Sequence, residues 1–123
     1  DKDISFAKNY MSIASRAAGV PALDTPFFGF KDPDALRSNS ILSKSIGYKG
    51  KFAIHPAQID VINEAFTPGE NEIEHARRVI EVFEQSASKG RGSTSLDGLV
   101  IDVPVVKRAQ ALIETAERFK KDD

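Results

Sequence analysis

The sequence predicts an α/β fold whose first part is a parallel strand–helix–strand unit. Two apolar segments, residues 20–28 and 51–55, flank a helix that we expect over residues 33–46. Asp32 is placed to cap that helix and Pro33 to open it, and the unit has the length of a parallel βαβ unit. One such unit leaves both edges of a parallel sheet unpaired, so the pattern indicates a fragment of a larger α/β fold.

Helices and a hairpin are predicted on either side of this unit. Residues 4–18 have helical spacing, and Gly19 is placed to end the helix in a left-handed cap. Residues 71–88 carry a clear amphipathic stripe, which we expect to be opened by a capping box at Thr67–Glu70. Asp97-Gly98 lies between two short apolar runs and predicts a β-hairpin, followed by a last helix from Pro104.

The composition excludes several classes of function. The chain has 123 residues, 28% of them charged, and a net charge of −1, so we expect neither a nucleic-acid nor a membrane partner. It contains no cysteine, which excludes disulfides, thiol catalysis and cysteine-type zinc sites. It does not begin with Met, and we expect it to be part of a longer protein.

His55-Pro56 is the first candidate site, because functional groups gather at the carboxyl ends of parallel strands. The alternative is that Pro56 simply starts a helix while His55 forms a hydrogen bond with a loop carbonyl. Asp24, at the end of the other predicted strand, could orient a substrate or a metal-bound water, or could cap a turn.

Asp102 is the second candidate, in the segment L-V-I-D-V-P. Its apolar neighbours would desolvate the carboxylate and favour its protonated form, which suits it to proton transfer. The competing interpretation is an Asp that stabilises a helix N-terminus.

Several segments in this order resemble the citrate lyase β-subunit-like family, which includes malyl-CoA and citramalyl-CoA lyases. They are G-Y-K-G-K-F-A-I-H-P-A-Q-I, F-T-P, A-R-R-V-I, S-L-D-G-L-V-I-D-V-P and, upstream, I-A-S-R-A-A-G-V-P-A-L-D-T-P-F-F. The resemblance implies that the chain is the C-terminal portion of a TIM (β/α)8 barrel with an extension. Residues 1–66 would be the last barrel repeats, and residues 67–123 a C-terminal helix–hairpin–helix extension.

The resemblance also implies the chemistry. Members of the family use Mg²⁺ and cleave a CoA thioester to acetyl-CoA and a keto acid, and their metal carboxylates and substrate arginine would lie upstream of this chain. Asp102 matches the family's C-terminal catalytic Asp, which acts in a neighbouring subunit's site, so a homo-oligomer is expected. Asp24, His55 and Pro56 match strand-end positions that line the substrate site. The expected location is the cytoplasm, with the mitochondrial matrix as the alternative.

Two other hypotheses also fit the sequence. The chain could be a non-catalytic, truncated paralogue whose amphipathic helices, residues 71–88 and 104–120, dock on a full-length partner. It could also belong to an aldolase that acts on free keto acids and ignores CoA.

Overall fold

The structure, a computed structural model, describes residues 2–121 and the side chains of residues 3–120. Its regular elements are helices and short strands, with 3₁₀ turns at Lys2–Ile4 and Pro56–Gln58. The elements are α1 (Ser5–Ala18), β1 (Leu23–Asp24), α2 (Pro33–Ser45), β2 (Gly50–Lys51), α3 (Ile59–Phe66), α4 (Glu70–Ala87), β3 (Thr94–Leu96), β4 (Leu99–Ile101) and α5 (Val103–Lys121).

The chain divides into two compact units, the first ending at Phe66 and the second beginning at Thr67. Each unit has its own hydrophobic core. The hydrophobic core of the first unit consists of the buried residues Ala22, Leu36, Tyr48, Ile62 and Phe66. In the second, they are Ala76, Val79, Leu96, Ile101, Val106 and Ala109.

The predicted parallel strand–helix–strand arrangement is confirmed in the first unit, where β1 and β2 pair in parallel through Leu23↔Gly50 and Asp24↔Lys51. Both strands are much shorter than the predicted apolar segments. Each has one neighbour within the described residues, and a ladder with one partner supports few backbone hydrogen bonds. The Phe52 N–H still donates to the Asp24 carbonyl at 3.0 Å, but residues 52–55 have no strand conformation, so the prediction that the second strand extends to His55 was wrong.

Helix α2 begins as its sequence predicts. The Asp32 carboxylate accepts the N–H of Ala35 at 2.9 Å, and Pro33 is the first helical residue. The helix packs Leu36 into the core of the first unit, but its other buried residues, Ser40 and Ser43, are polar. Because part of its buried face is polar, the sequence of α2 has only a weak amphipathic pattern.

Helix α1 forms where it is predicted and ends at Gly19, whose φ of 71° is the left-handed cap conformation. None of its residues is buried, however, and Met11 of the predicted apolar stripe is 59% exposed. The helix is held by polar groups instead. The Tyr48 hydroxyl donates to the carbonyl of Lys8 at 3.1 Å, and the Ser12 hydroxyl donates to the carbonyl of Ile46.

The second unit consists of α4, the β3–β4 hairpin and α5. The predicted hairpin is confirmed: Asp97 and Gly98 have φ values of 50° and 80°, the two positive angles of a type I′ turn. The capping box begins two residues later than predicted. Gly69, and not Thr67, is the N-cap of α4, and its N–H donates to the Glu72 carboxylate at 2.9 Å. No helix within residues 2–121 is both long enough and apolar enough to cross a membrane.

Candidate functional site

Asp24 lies at the centre of a buried polar cluster. Its Oδ2 accepts hydrogen bonds from the ammonium of Lys51 at 2.6 Å, the ammonium of Lys8 at 3.1 Å and the hydroxyl of Ser43. Its Oδ1 accepts the backbone N–H of Thr25 at 2.9 Å. Asp24 is 2% exposed, so protein groups occupy both oxygens of a carboxylate that solvent does not reach.

The cluster keeps Asp24 ionised. Burial raises the pKa of Asp24, whereas hydrogen bonds from Lys51, Ser43 and Lys8 lower it, and the net result holds its pKa below the ordinary value. The Lys51 side chain is also only 2% exposed, and it donates a second bond to the Asn39 side chain at 2.6 Å. A buried ion pair of this kind needs such additional hydrogen bonds to offset its desolvation.

The Asp24 side chain lies on the helix side of the two-stranded sheet. Its register partner Lys51 shares that side, and their partners come from α1 (Lys8) and α2 (Asn39, Ser43). Because side chains alternate along a strand, Leu23 faces the other way and is 51% exposed. The geometry therefore gives Asp24 the position of a group that joins the sheet to its helices.

His55 lies in the loop beyond β2, where it caps the 3₁₀ turn at Pro56–Gln58. Its Nδ1 accepts the N–H of Ala57 at 3.1 Å, and its ring stacks on Phe30 with centroids 5.0 Å apart. An N–H can only donate, so Nδ1 presents its lone pair and the neutral ring carries its proton on Nε2. The imidazole is exposed, and Nε2 is therefore the ring nitrogen available to a ligand.

Pro56 and Gln58 complete this corner of the first unit. Pro56 is exposed and opens the turn. Gln58 is 1% exposed; its Nε2 donates to the carbonyl of Phe27 at 2.7 Å, and its Oε1 accepts the N–H of Ile54 at 2.9 Å. One side chain thus joins the loop that follows β1 to the loop that follows β2.

Asp102 lies in the second unit, between the hairpin and α5. Its Oδ1 accepts the N–H of Val105 at 3.2 Å and its carbonyl accepts the N–H of Val106 at 3.0 Å, so it is the N-cap of α5. The side chain is half-buried, and within residues 2–121 no hydrogen bond or ion pair engages its Oδ2. A single carboxylate can therefore cap the helix with one oxygen and present the other to a reactant.

Sequence reasoning missed Lys8, Asn39, Ser43, Lys51 and Gln58. The weak amphipathicity of α2 was the available signal for Asn39 and Ser43, because a helix that buries polar groups loses its apolar stripe. Lys51 is followed by an apolar run, which was a second signal that its side chain could be buried. Across residues 2–121, no three His, Cys, Asp or Glu side chains lie close enough together to hold a metal ion.

Comparison with known proteins finds relatives along nearly the whole chain. The chain is 36% identical over 115 residues to the citrate lyase subunit beta of Leuconostoc mesenteroides subsp. cremoris, which covers 94% of this chain and 38% of that protein. It is 33% identical over 120 residues to the mitochondrial citramalyl-CoA lyase of Rattus norvegicus, covering 98% of this chain and 36% of that protein. Along nearly its whole length, the chain is similar to the citrate lyase β-subunit-like family.

A solved structure is similar to this chain as well. Protein CitE from Mycobacterium tuberculosis, in complex with magnesium, acetoacetate and coenzyme A, superposes with a TM-score of 0.78 at 26% identity. That match covers 89% of this chain and 40% of the CitE chain. The chain thus spans well under half the length of these relatives, and no protein-family model matches it.

Proposed function

We propose that this chain is the C-terminal part of a Mg²⁺-dependent carbon–carbon lyase. The substrate is a 3-hydroxyacyl-CoA thioester of the citryl-, malyl- or citramalyl-CoA type, and the products are acetyl-CoA and a keto acid. The observation that carries the proposal is the identity of 33–36% to citrate and citramalyl-CoA lyases along 94–98% of this chain. In this proposal, residues 1–66 complete a TIM barrel and residues 67–123 form its C-terminal extension.

Asp102 is the proposed proton donor. Cleavage of the carbon–carbon bond leaves the electron pair on the acetyl thioester as an enolate, and the Asp102 carboxyl delivers the proton that converts it to acetyl-CoA. In condensation the same carboxylate removes a proton from the acetyl methyl group. Its free Oδ2 and its position as the N-cap of α5 support this role, which it performs in a neighbouring subunit of a homo-oligomer.

The metal belongs to a part of the protein outside this chain. The described residues contain no cluster of three metal-ligating side chains, and in this proposal the Mg²⁺ ligands lie upstream of the chain. The base that takes the hydroxyl proton of the substrate likewise lies outside the chain. His55 and Pro56 line the substrate site, with the His55 Nε2–H as a donor to a substrate oxygen. Asp24 supports that site from the helix side of the sheet.

The test is Asp102→Asn in the full-length protein that contains this chain. Asn is as good an N-cap as Asp, so the start of α5 is preserved while the acid is lost. Turnover of the CoA thioester with Mg²⁺ should fall on the order of a hundredfold or more, because a general acid contributes about that much. Thioester affinity, measured by calorimetry, should stay unchanged.

Asp97→Asn is the matched control, since it makes the same chemical change five residues earlier in the hairpin turn, where Asn also accepts a positive φ. Its turnover should equal that of the parent protein. Equal turnover in Asp102→Asn and Asp97→Asn would remove Asp102 from the mechanism.

The alternative proposal is a non-catalytic paralogue that docks on a full-length partner. Helix α1 exposes apolar side chains, among them Phe6 at 80% and Ile13 at 69%. Such exposure favours a partner that covers this helix. The intact mass of the native protein separates the two proposals. A mass near the 13.4 kDa of this chain supports the paralogue, whereas a mass suited to a barrel of about 250 residues or more supports the lyase.

A further inference from the structure

Gln58 is a buried polar residue that the proposed reaction does not use. It is 1% exposed, and its amide makes one bond to each of two loops: to the Phe27 carbonyl beyond β1 and to the Ile54 N–H beyond β2. These two partners fix the orientation of the amide, because a carbonyl must face Nε2 and an N–H must face Oε1.

Both bonds involve the two chain segments that carry the His55 ring and its stacking partner Phe30. Ile54 directly precedes His55, and Phe27 belongs to the same loop as Phe30, on which the imidazole stacks. That loop is also short and turned on itself, since the Phe30 N–H donates to the Phe28 carbonyl at 2.9 Å. Holding the two loops together therefore holds the two rings in contact.

We infer that Gln58 is a positioning residue for His55. By joining the two loops, it keeps the imidazole stacked on Phe30 with Nδ1 bonded to Ala57, so that Nε2–H is the donor offered to the substrate. The inference rests on the proposed function only in taking a substrate oxygen as the partner of Nε2. The orientation and the tautomer of His55 are properties of the protein alone.

The first measurement therefore needs no substrate. In the ¹⁵N-histidine-labelled full-length protein, the His55 signal, identified by its loss in His55→Asn, should show the Nε2–H tautomer. Gln58→Leu removes both amide bonds and should convert that signal to an average of two tautomers. Gln58→Glu keeps the acceptor for Ile54 and loses the donor to Phe27, so it should give an intermediate spectrum and serves if the Leu variant fails to fold.

The second measurement is a double-mutant cycle on thioester cleavage. Gln58→Leu and His55→Asn should each lower kcat/KM about tenfold, the value of one lost hydrogen bond. If Gln58 acts through His55, the double variant should be no slower than His55→Asn alone. Gln85→Leu makes the same substitution at an exposed position of α4 and should leave both the spectrum and kcat/KM unchanged.

An unchanged His55 signal in both Gln58 variants overturns the inference, as do losses in kcat/KM that simply add. Absence of thioester cleavage in the parent protein overturns the proposed function instead. In that case the tautomer of His55 in the Gln58 variants still decides whether Gln58 positions the ring.

Discussion

At the scale of single residues, Asp24 is the group on which the buried polar cluster depends. Two lysines and one buried carboxylate form a cluster, and the hydroxyl of Ser43 and the amide of Asn39 complete their hydrogen bonds. Within the described residues, every buried side-chain nitrogen and oxygen atom has a partner. Such a cluster is stable as a whole, but removing one charge leaves the others without compensation.

We expect Asp24→Asn to lower the free energy of unfolding by about 3 kcal/mol at neutral pH, because Lys51 stays buried without its counter-charge. Chemical denaturation measures this loss. Asp60→Asn, an exposed change in the first turn of α3, should cost about 1 kcal/mol or less. Equal losses in the two variants would contradict the buried ion pair.

The same carboxylate predicts how stability depends on pH. Its pKa in the folded protein lies below the ordinary value of 3.8, so its contribution is complete above pH 3.8 and is lost as the pH falls through the folded-state pKa. The difference in unfolding free energy between the parent protein and Asp24→Asn should therefore be constant above pH 3.8 and shrink below it. A difference that grows in acid would contradict a lowered pKa.

At the scale of elements, local signals explain the hairpin and the helix ends. The β3–β4 turn needs positive φ at Asp97 and Gly98, and the sequence provides Asp-Gly. A side chain at Gly98, with φ of 80°, would be strained even though nothing lies within 4 Å of the added Cβ.

We expect Gly98→Ala to lower the free energy of unfolding by about 1 kcal/mol, the cost of a left-handed conformation for an L-residue. Thermal or denaturant unfolding of the second unit would report it. Gly92→Ala is the control, because its Cβ also meets nothing within 4 Å and its φ lies outside the positive range. If Gly92→Ala costs as much, turn strain is not the cause.

At the scale of the whole molecule, the chain has two separate cores, one in each unit. Val79 is 3% exposed in the core of the second unit, where α4 faces the hairpin and α5. Because the buried residues of each cluster come from one unit, a cavity in one core should act mainly on that unit.

We therefore expect Val79→Ala to destabilise the second unit by roughly 2 kcal/mol through loss of buried methyl groups and the cavity left behind. Hydrogen exchange should accelerate in α4 and α5 and stay unchanged in α2 and α3. Val100→Ala, at a position 69% exposed, should change exchange in neither unit. Equal acceleration in both units would show that they unfold together.

The sequence alone determined the local features of this fold and showed its similarity to citrate lyase β subunits. The Asp32-Pro33 start of α2, the left-handed Gly19 and the Asp97-Gly98 turn each depend on a few neighbouring residues, which is why they could be predicted. The length of the strands could not, because a ladder depends on a partner strand that the local sequence does not specify.

The surroundings of the candidate residues were decided by tertiary structure. Asp24 was predicted as a strand-end group that meets substrate, but folding brings Lys8, Ser43 and Lys51 to it from 16, 19 and 27 residues away. Gln58 joins Phe27 across 31 residues in the same way. No local sequence pattern specifies these long-range contacts. Their free energy comes from charges and dipoles that face one another only after the sheet and helices have packed.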